Sequence, residues 1–369
     1  MLDDVTITGF RGLDGLLMQG TSKYNLIVGL NNSGKSSLLE ALFLHCSPLS
    51  FQVLLALISF RCGSLKINQH SIFEQLGWFF TKKLNIPDTR DIRTEGVWNG
   101  IRRKTNLSIE HETDGKSLEK LLSADSPPLK FGQPVRQSES EGIRIGTISF
   151  SFCSDKQDEI IQRYDFSMGN FEIHPPKIKA DINAVFLEAH FHHRNPEAGI
   201  EEYDKSVKRD YDKKCLRLMQ KIDPDIEDMS ILLTASGSPQ LFVSHKKLGR
   251  APLSNFGDGI KRMYMIAASM VACEGGVFFI DELESAIHSD ALKTLADWIS
   301  QAAEELDVQI FATTHSLECI DALLGSNFSE SDNLSLFKLG WRNDRISCKK
   351  ISGNILKDAR YELGLDVRR

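Results

Sequence analysis

Gly29-Leu30-Asn31-Asn32-Ser33-Gly34-Lys35-Ser36 fits the pattern G-x-x-x-x-G-K-[ST] at every fixed position. The chemistry behind that spacing is anion binding. Glycines let the backbone approach a phosphate closely, and the loop N–H groups then turn inward onto its oxygens. Asn31, Asn32, Ser33, Gly34, Lys35, Ser36 and Ser37 are therefore the expected nucleotide-binding residues. Lys35 supplies a point charge for the β- and γ-phosphates, and the Ser36 hydroxyl is a ligand for Mg²⁺. A helix opening at this point adds the positive end of its dipole. ATP and Mg²⁺ are the expected ligands.

The flanks agree with the loop. Leu26-Ile27-Val28 is a short apolar run, as in a strand covered on both faces. From Ser36 to Leu44, the residues Leu38, Leu39, Leu42 and Phe43 recur at helical spacing. Far downstream, Val277-Phe278-Phe279-Ile280 is a second apolar strand, and it ends in Asp281-Glu282. Carboxylates at the carboxyl end of a parallel strand sit where such sheets bind ligands. Asp281 is the expected Mg²⁺ partner, and Glu282 the catalytic group that orients or deprotonates water. Strands and helices alternate through the last third: a helix over about Phe256–Ala272, the strand 277–280, a helix with Leu292, Leu295, Ile299 and Leu306 on one stripe, and the strand Val308–Ala312.

Composition sets the class. Of 369 residues, 41% are hydrophobic and 25% charged, as in an ordinary globular protein. Apolar runs are too short to cross a bilayer, and the acidic start Met1-Leu2-Asp3-Asp4 lacks the features of a signal peptide. Seven cysteines without a C-x-x-C spacing fit free thiols in a reducing compartment, so a cytoplasmic protein is expected, with no membrane partner. A net charge of −6 argues against a surface that binds nucleic acid everywhere. A local basic excess on a predicted helix, from Lys205 to Lys221, leaves a DNA or partner contact open beside the plainer reading of a solvated face.

Nearly the whole chain separates Lys35 from Asp281, unlike the compact spacing of kinases and small GTPases. In this the sequence resembles ABC-type ATPase heads of the SMC and RecF kind. Leu253-Ser254-Asn255-Phe256-Gly257-Asp258-Gly259 looks like a divergent ABC signature, placed to start a helix before the Asp281 strand. The resemblance implies that Ser254, Gly257, Asp258 and Gly259 meet the γ-phosphate held by a second subunit. Transporters have L-S-G-G-Q here; the Gly-Asp-Gly form is similar to overcoming-lysogenization-defect (OLD) ATPases and their stand-alone relatives in anti-phage systems. Leu283–His288 takes the D-loop position. Thr313-Thr314-His315-Ser316 resembles the switch-histidine motif, which makes His315 a catalytic candidate. Thr6–Gly12 looks like the first strand of such heads, with Arg11 approaching the nucleotide. A Q-loop is expected somewhere in Phe186–Arg194.

The fold expected is α/β: an ABC-ATPase head spanning 1–369 with a mainly parallel P-loop sheet, antiparallel strands and a helical insertion or arm. Within it, 48–142 reads as an insertion, 195–225 as a helical arm, and 332–369 as a C-terminal hairpin and helix. Glu188, His190, His192 and His193 are passed over as a metal site, since alternation along a strand turns His193 away. Asp223-Pro224-Asp225 reads as a turn. Only 54 residues follow His315 (369 − 315), too few for the nuclease domain of OLD proteins. The function expected is that of an ATP-hydrolysing homodimer, or higher even-numbered oligomer, regulating a separate effector such as a TOPRIM-like nuclease. Alternatives are a RecF-like DNA-binding ATPase in repair, and a scaffold whose nucleotide is structural.

Overall fold

The structure, a computed structural model, describes residues 1–62, 75–81, 90–111, 144–167, 182–189, 199–235, 237–326, 333–343 and 345–368. Its centre is a six-stranded sheet in the order β15-β14-β3-β13-β12-β8. The strands are β3 (Tyr24–Gly29), β8 (Ala184–Leu187), β12 (Val277–Ile280), β13 (Gln309–Thr313), β14 (Leu334–Arg342) and β15 (Arg345–Ser352). Five run parallel, and only the edge strand β15 is antiparallel. Parallel strands are covered on both faces, which accounts for their unbroken apolar runs. Every residue of β3, β12 and β13 is buried.

Side-chain alternation divides the core into two layers. Val277, Phe279, Phe311 and Phe337 pack with Ile27 and the helix α1 (Lys35–Cys46). Phe278, Ile280, Ile310 and Leu336 face the other way, onto α5 (Asp258–Ala272), α6 (Ser289–Glu305) and α7 (Leu317–Leu324). Each such Phe, Ile or Leu stabilises the fold by about 1.5–3 kcal/mol relative to exposure. Along α1, apolar residues occur on all sides, and it is buried on all sides. Beyond it lies a second, antiparallel sheet.

That sheet has the order β2-β1-β4-β5-β6-β7. It comprises β1 (Leu2–Thr8), β2 (Leu16–Met18), β4 (Arg90–Trp98), β5 (Ile101–His111), β6 (Arg144–Ser154) and β7 (Gln157–Ser167). Within 48–142, read from sequence as an insertion, β4 pairs directly with β1, Ile7 lying opposite Thr94, and β5 pairs with β4. The segment 48–142 also contributes α2 (Phe51–Cys62). A three-stranded sheet of β9 (Ile226–Leu233), β10 (Pro239–His245) and β11 (Gly249–Pro252) precedes the signature segment.

The expected arm helix is two helices, α3 (Ile200–Lys208) and α4 (Asp212–Ile222). Asp210 between them has φ 56, a left-handed conformation that no helix continues through. Toward the end of the chain, α8 (Gly353–Tyr361) follows β15. No described helix is long and apolar enough to cross a membrane. Among the described residues, Cys46, Cys153, Cys215, Cys273, Cys319 and Cys348 are free thiols.

Candidate nucleotide site

Parallel register brings the carboxyl ends of β3, β13 and β12 side by side. Ile27 lies opposite Thr313, and Ala312 opposite Ile280. The loop 29–34 therefore emerges next to Asp281 and Thr313, although the sequence holds them far apart. Ser36 Oγ donates to Asp281 Oδ1 at 3.0 Å across 245 residues. Thr313 Oγ1 donates to the same oxygen at 2.7 Å and accepts from Glu282 N at 2.8 Å.

The loop has the shape of a phosphate cradle. A Cβ on Gly29 would lie 2.5 Å from Ser33 Oγ and 2.6 Å from Leu339 O, so no side chain fits there. Gly34 has φ 90 and Asn32 φ 61, which turns the chain back into α1. Lys35 is buried, its Nζ 3.0 Å from the carbonyl oxygens of both Gly29 and Leu30. Burial lowers its ammonium below the ordinary lysine value, against the pull of Asp281, Glu282 and Glu284. The first-turn N–H groups of α1 have no carbonyl partner four residues back within the helix, so they are available to an anion. Ser33 Oγ is buried and has no hydrogen-bond partner among the described residues. A cationic, amide-lined loop with an unused hydroxyl suits a polyphosphate. Two oxygens of Ser36 and Asp281 at hydrogen-bond distance suit a hard cation that prefers oxygen ligands.

Glu282 has φ 49, a left-handed conformation costly for a residue with a side chain. Arg262, fully buried on α5, holds it there. Its Nη1 donates to Glu188 O at 2.6 Å, and its Nη2 to Asp281 O at 2.8 Å and Glu282 O at 3.2 Å. Burial brings this guanidinium down to about 10, still charged at neutral pH. Sequence reasoning missed Arg262; the available signal was a cation, beside Lys261, at the head of the mostly apolar run Met263–Val271. It missed Thr313 as the link between the acidic pair and the neighbouring strand too.

The remaining candidates fall in three places. His315, partly exposed after β13, has its N–H on Glu284 Oε1 at 2.6 Å and its carbonyl accepting from Arg368 Nη1 at 2.6 Å. Arg11 turns to Glu40, with Nη1 2.5 Å from Oε2, and stacks over Phe10 and Phe79. In the signature segment, Ser254 and Gly257 are exposed, and a Cβ on Gly257 would meet nothing within 4 Å. Helix α5 starts at Asp258, two residues later than the sequence indicates, with Gly257 as its N-cap. Asp258 pairs with Lys261 at 2.6 Å, and Gly259 lies against Ala286 O of the D-loop segment. Asn31 and Asn32 are exposed on the loop, and Ser37 is partly exposed on the first turn of α1.

Two other clusters are resolved by their partners. Asp223, Asp225 and His245 lie together, but His245 Nδ1 accepts from Lys247 N and Leu248 N, which leaves Nε2–H to donate to Asp223. Lys247 pairs with Asp225 at 2.5 Å. The lone pair a metal would need is already used. Of the Glu188 cluster, His190, His192 and His193 lie outside the described residues, as do Arg194 and part of the proposed Q-loop stretch.

Comparison with known proteins agrees with this geometry. A protein-family profile described as "AAA domain, putative AbiEii toxin, Type IV TA system" matches residues 24–321. An "ATP/GTP phosphatase" of Helicobacter pylori is 22% identical over 353 residues, covering 88% of this chain and 87% of that protein. The DNA replication and repair protein RecF of Stutzerimonas stutzeri is 26% identical over 134 residues, 36% of this chain and 32% of that protein. Among solved structures, the Smc head domain with an extended coiled coil, derived from Pyrococcus furiosus and bound to the C-terminal domain of ScpA, superposes with a TM-score of 0.50 at 12% identity. It covers 99% of both chains. At that identity the likeness is one of fold.

Proposed function

The chain belongs to the family of AAA domains described as putative AbiEii toxin, Type IV TA system, and on that premise we propose a Mg²⁺-dependent ATPase that dimerises on ATP to regulate a separate effector in antiviral defence. The observation that carries the hydrolytic part is the convergence of Ser36, Asp281 and Thr313 beside a strained, clamped Glu282. Lys35 and the loop amides hold the β- and γ-phosphates. Ser36 and Asp281 hold the cation, which when bound neutralises charge on the phosphate oxygens. Glu282 accepts a proton as water oxygen bonds to the γ-phosphorus and the bond to the bridging oxygen breaks, giving ADP and phosphate. His315 follows the neighbouring strand β13, and in this reading its imidazole steadies the γ-phosphate.

Dimerisation is supported by the exposed Ser254 and Gly257 at the head of α5, where a phosphate held by a second copy would meet the helix N-terminus. The effector, a separately encoded nuclease of TOPRIM-like or other type, rests on the resemblance of Gly257-Asp258-Gly259 to the OLD form. Glu282→Gln tests the core of this reading: hydrolysis should fall at least about a hundredfold while ATP binding persists. Full turnover by that variant would remove Glu282 from the role.

A RecF-like, DNA-binding role has one observation in its favour. Lys205, Lys208, Arg209 and Lys214 pair with Glu201, Asp204, Glu274 and Glu305, but Lys213, Arg217 and Lys221 lie exposed at four-residue intervals along α4. Charge reversal at these three should abolish any salt-dependent DNA binding, and a chain that binds no DNA rules the role out.

A further inference from the structure

Past the end of β12, the residues Asp281 to Glu284 are tied one after another to the end of β13. Asp281 Oδ1 accepts from Thr313 Oγ1 at 2.7 Å, and Glu282 N donates to the same hydroxyl at 2.8 Å. Leu283 N donates to Thr313 O at 3.0 Å, and Glu284 Oε1 accepts from His315 N at 2.6 Å. The His315 peptide is held from its other side too, its carbonyl accepting from Arg368 Nη1 at 2.6 Å. One residue on, Ser316 N donates to Thr314 Oγ1 at 3.1 Å. The main chain is fixed here, and among the described residues it makes all the hydrogen bonds of His315. The imidazole makes none.

Glu284 has the complementary shortage. Its Oε2 is buried and accepts no hydrogen bond among the described residues. A buried carboxylate oxygen without a donor is costly, and such an atom in a folded chain asks for a function. The nearby cations do not supply the donor. Lys35 Nζ sits on the carbonyls of Gly29 and Leu30, and the Arg262 Nη atoms on those of Glu188, Asp281 and Glu282. Arg262 Nε is buried without a partner as well, but no ion pair joins it to Glu284. A histidine Nδ1 lies close to its own backbone nitrogen. Rotation about Cα–Cβ therefore brings Nδ1–H to the second oxygen of a carboxylate whose first oxygen already holds that backbone N–H. The charge of Glu284 is felt at Lys35, so it also acts on an incoming phosphate, an unfavourable pairing unless a proton-bearing group stands between. A ring with a proton on each nitrogen is such a group, and a neighbouring carboxylate favours that form.

We infer that Glu284 is a positioning residue for His315: Oε1 fixes the main chain, and Oε2 takes the ring Nδ1–H, which aims Nε2–H at the γ-phosphate. The inference rests on the reading of His315 given above and adds to it a residue that the hydrolytic step does not itself use. Glu284 touches neither the attacking water nor the phosphate. Glu282, two residues earlier, keeps the role of base.

The test is steady-state ATP hydrolysis by the full chain, by Glu284→Gln, by His315→Ala and by the double variant, with ATP affinity from calorimetry and stability from urea unfolding. Glu284→Gln keeps an oxygen for the His315 N–H and places an amide nitrogen where Oε2 stood. Turnover should fall about tenfold with ATP affinity unchanged. The urea midpoint should hold or rise, because a buried charge without a partner has been removed. His315→Ala should itself lose about tenfold or more in turnover, and adding Glu284→Gln to it should cost less than about twofold further, since the ring it served is gone. If Glu284→Gln turns over ATP as fast as the unaltered chain, or if the two losses multiply in the double variant, the inference falls and the reading of His315 stands. A lowered urea midpoint with weakened ATP binding would make Glu284 a packing residue and overturn the inference as well. If His315→Ala is as fast as the unaltered chain, both fall.

Discussion

Arg262 carries a full charge into a fully buried position, which is expensive unless the terminal nitrogens of the guanidinium find acceptors. Here it is spent on three backbone carbonyls, from Glu188, Asp281 and Glu282, so it ties α5 to the ends of β8 and β12. The result is a Glu282 that cannot relax out of its left-handed conformation. Arg262→Met should cost about 3 kcal/mol in urea unfolding, because it strips buried carbonyls of their donors. It should also slow hydrolysis beyond what the lost stability explains at low temperature. An Arg262→Met chain with native stability and turnover would show that the clamp does nothing. Two of these features were open to a reader of the sequence and one was not. Lys35 and Asp281 announce themselves by motif, since each follows an apolar strand. Arg262 shows locally only as a cation at the head of an apolar run; its worth depends on carbonyls from 74 and 20 residues away.

Between elements, His45 and Gly276 mark two close contacts. His45 closes α1 against β4, with Nδ1 2.9 Å from Thr94 Oγ1, and it is wholly buried. Burial, helped by the positive charge of Arg103, depresses it from 6.5 to about 3. The unfolded chain takes up this proton below about pH 6.5 and the folded one does not until about pH 3, so the folded state loses stability as pH falls through that window. From pH 7 to pH 5 the loss should be about 2 kcal/mol, and His45→Gln should remove that much of the slope. Equal slopes for the two proteins would contradict the assignment. Gly276 opens β12 so close to β8 that a Cβ would sit 1.8 Å from Asn183 O. Gly276→Ala should therefore destabilise by about 2–3 kcal/mol, read as a lowered urea midpoint. The strand β12 beside Gly276 was legible by its apolar run. The sheet β2-β1-β4-β5-β6-β7 was not, because β1 pairs with a strand more than eighty residues on, and long-range register leaves no local trace.

Over the whole molecule, the proposed function assigns the phosphate loop and the signature segment to two different nucleotides. Lys35 is buried at the carboxyl end of the inner strand β3, while Ser254 and Gly257 stand exposed just before α5. A single copy leaves half of the proposed machinery facing solvent; two copies related by a two-fold axis would each complete the other, as isologous interfaces do. The C-terminal tail adds a constraint of the same range. Arg368 reaches back to the carbonyl of His315, so Arg368→Ala should loosen that loop and lower turnover several-fold without changing ATP affinity. Unaltered turnover would reduce the contact to packing. The paired-copy claim is tested most directly by light scattering of Glu282→Gln with Mg²⁺ and ATP. The mass should double on adding ATP and stay that of one chain with ADP, and Ser254→Arg in the same background should prevent the doubling. A mass indifferent to ATP, or a doubling that survives Ser254→Arg, would contradict it.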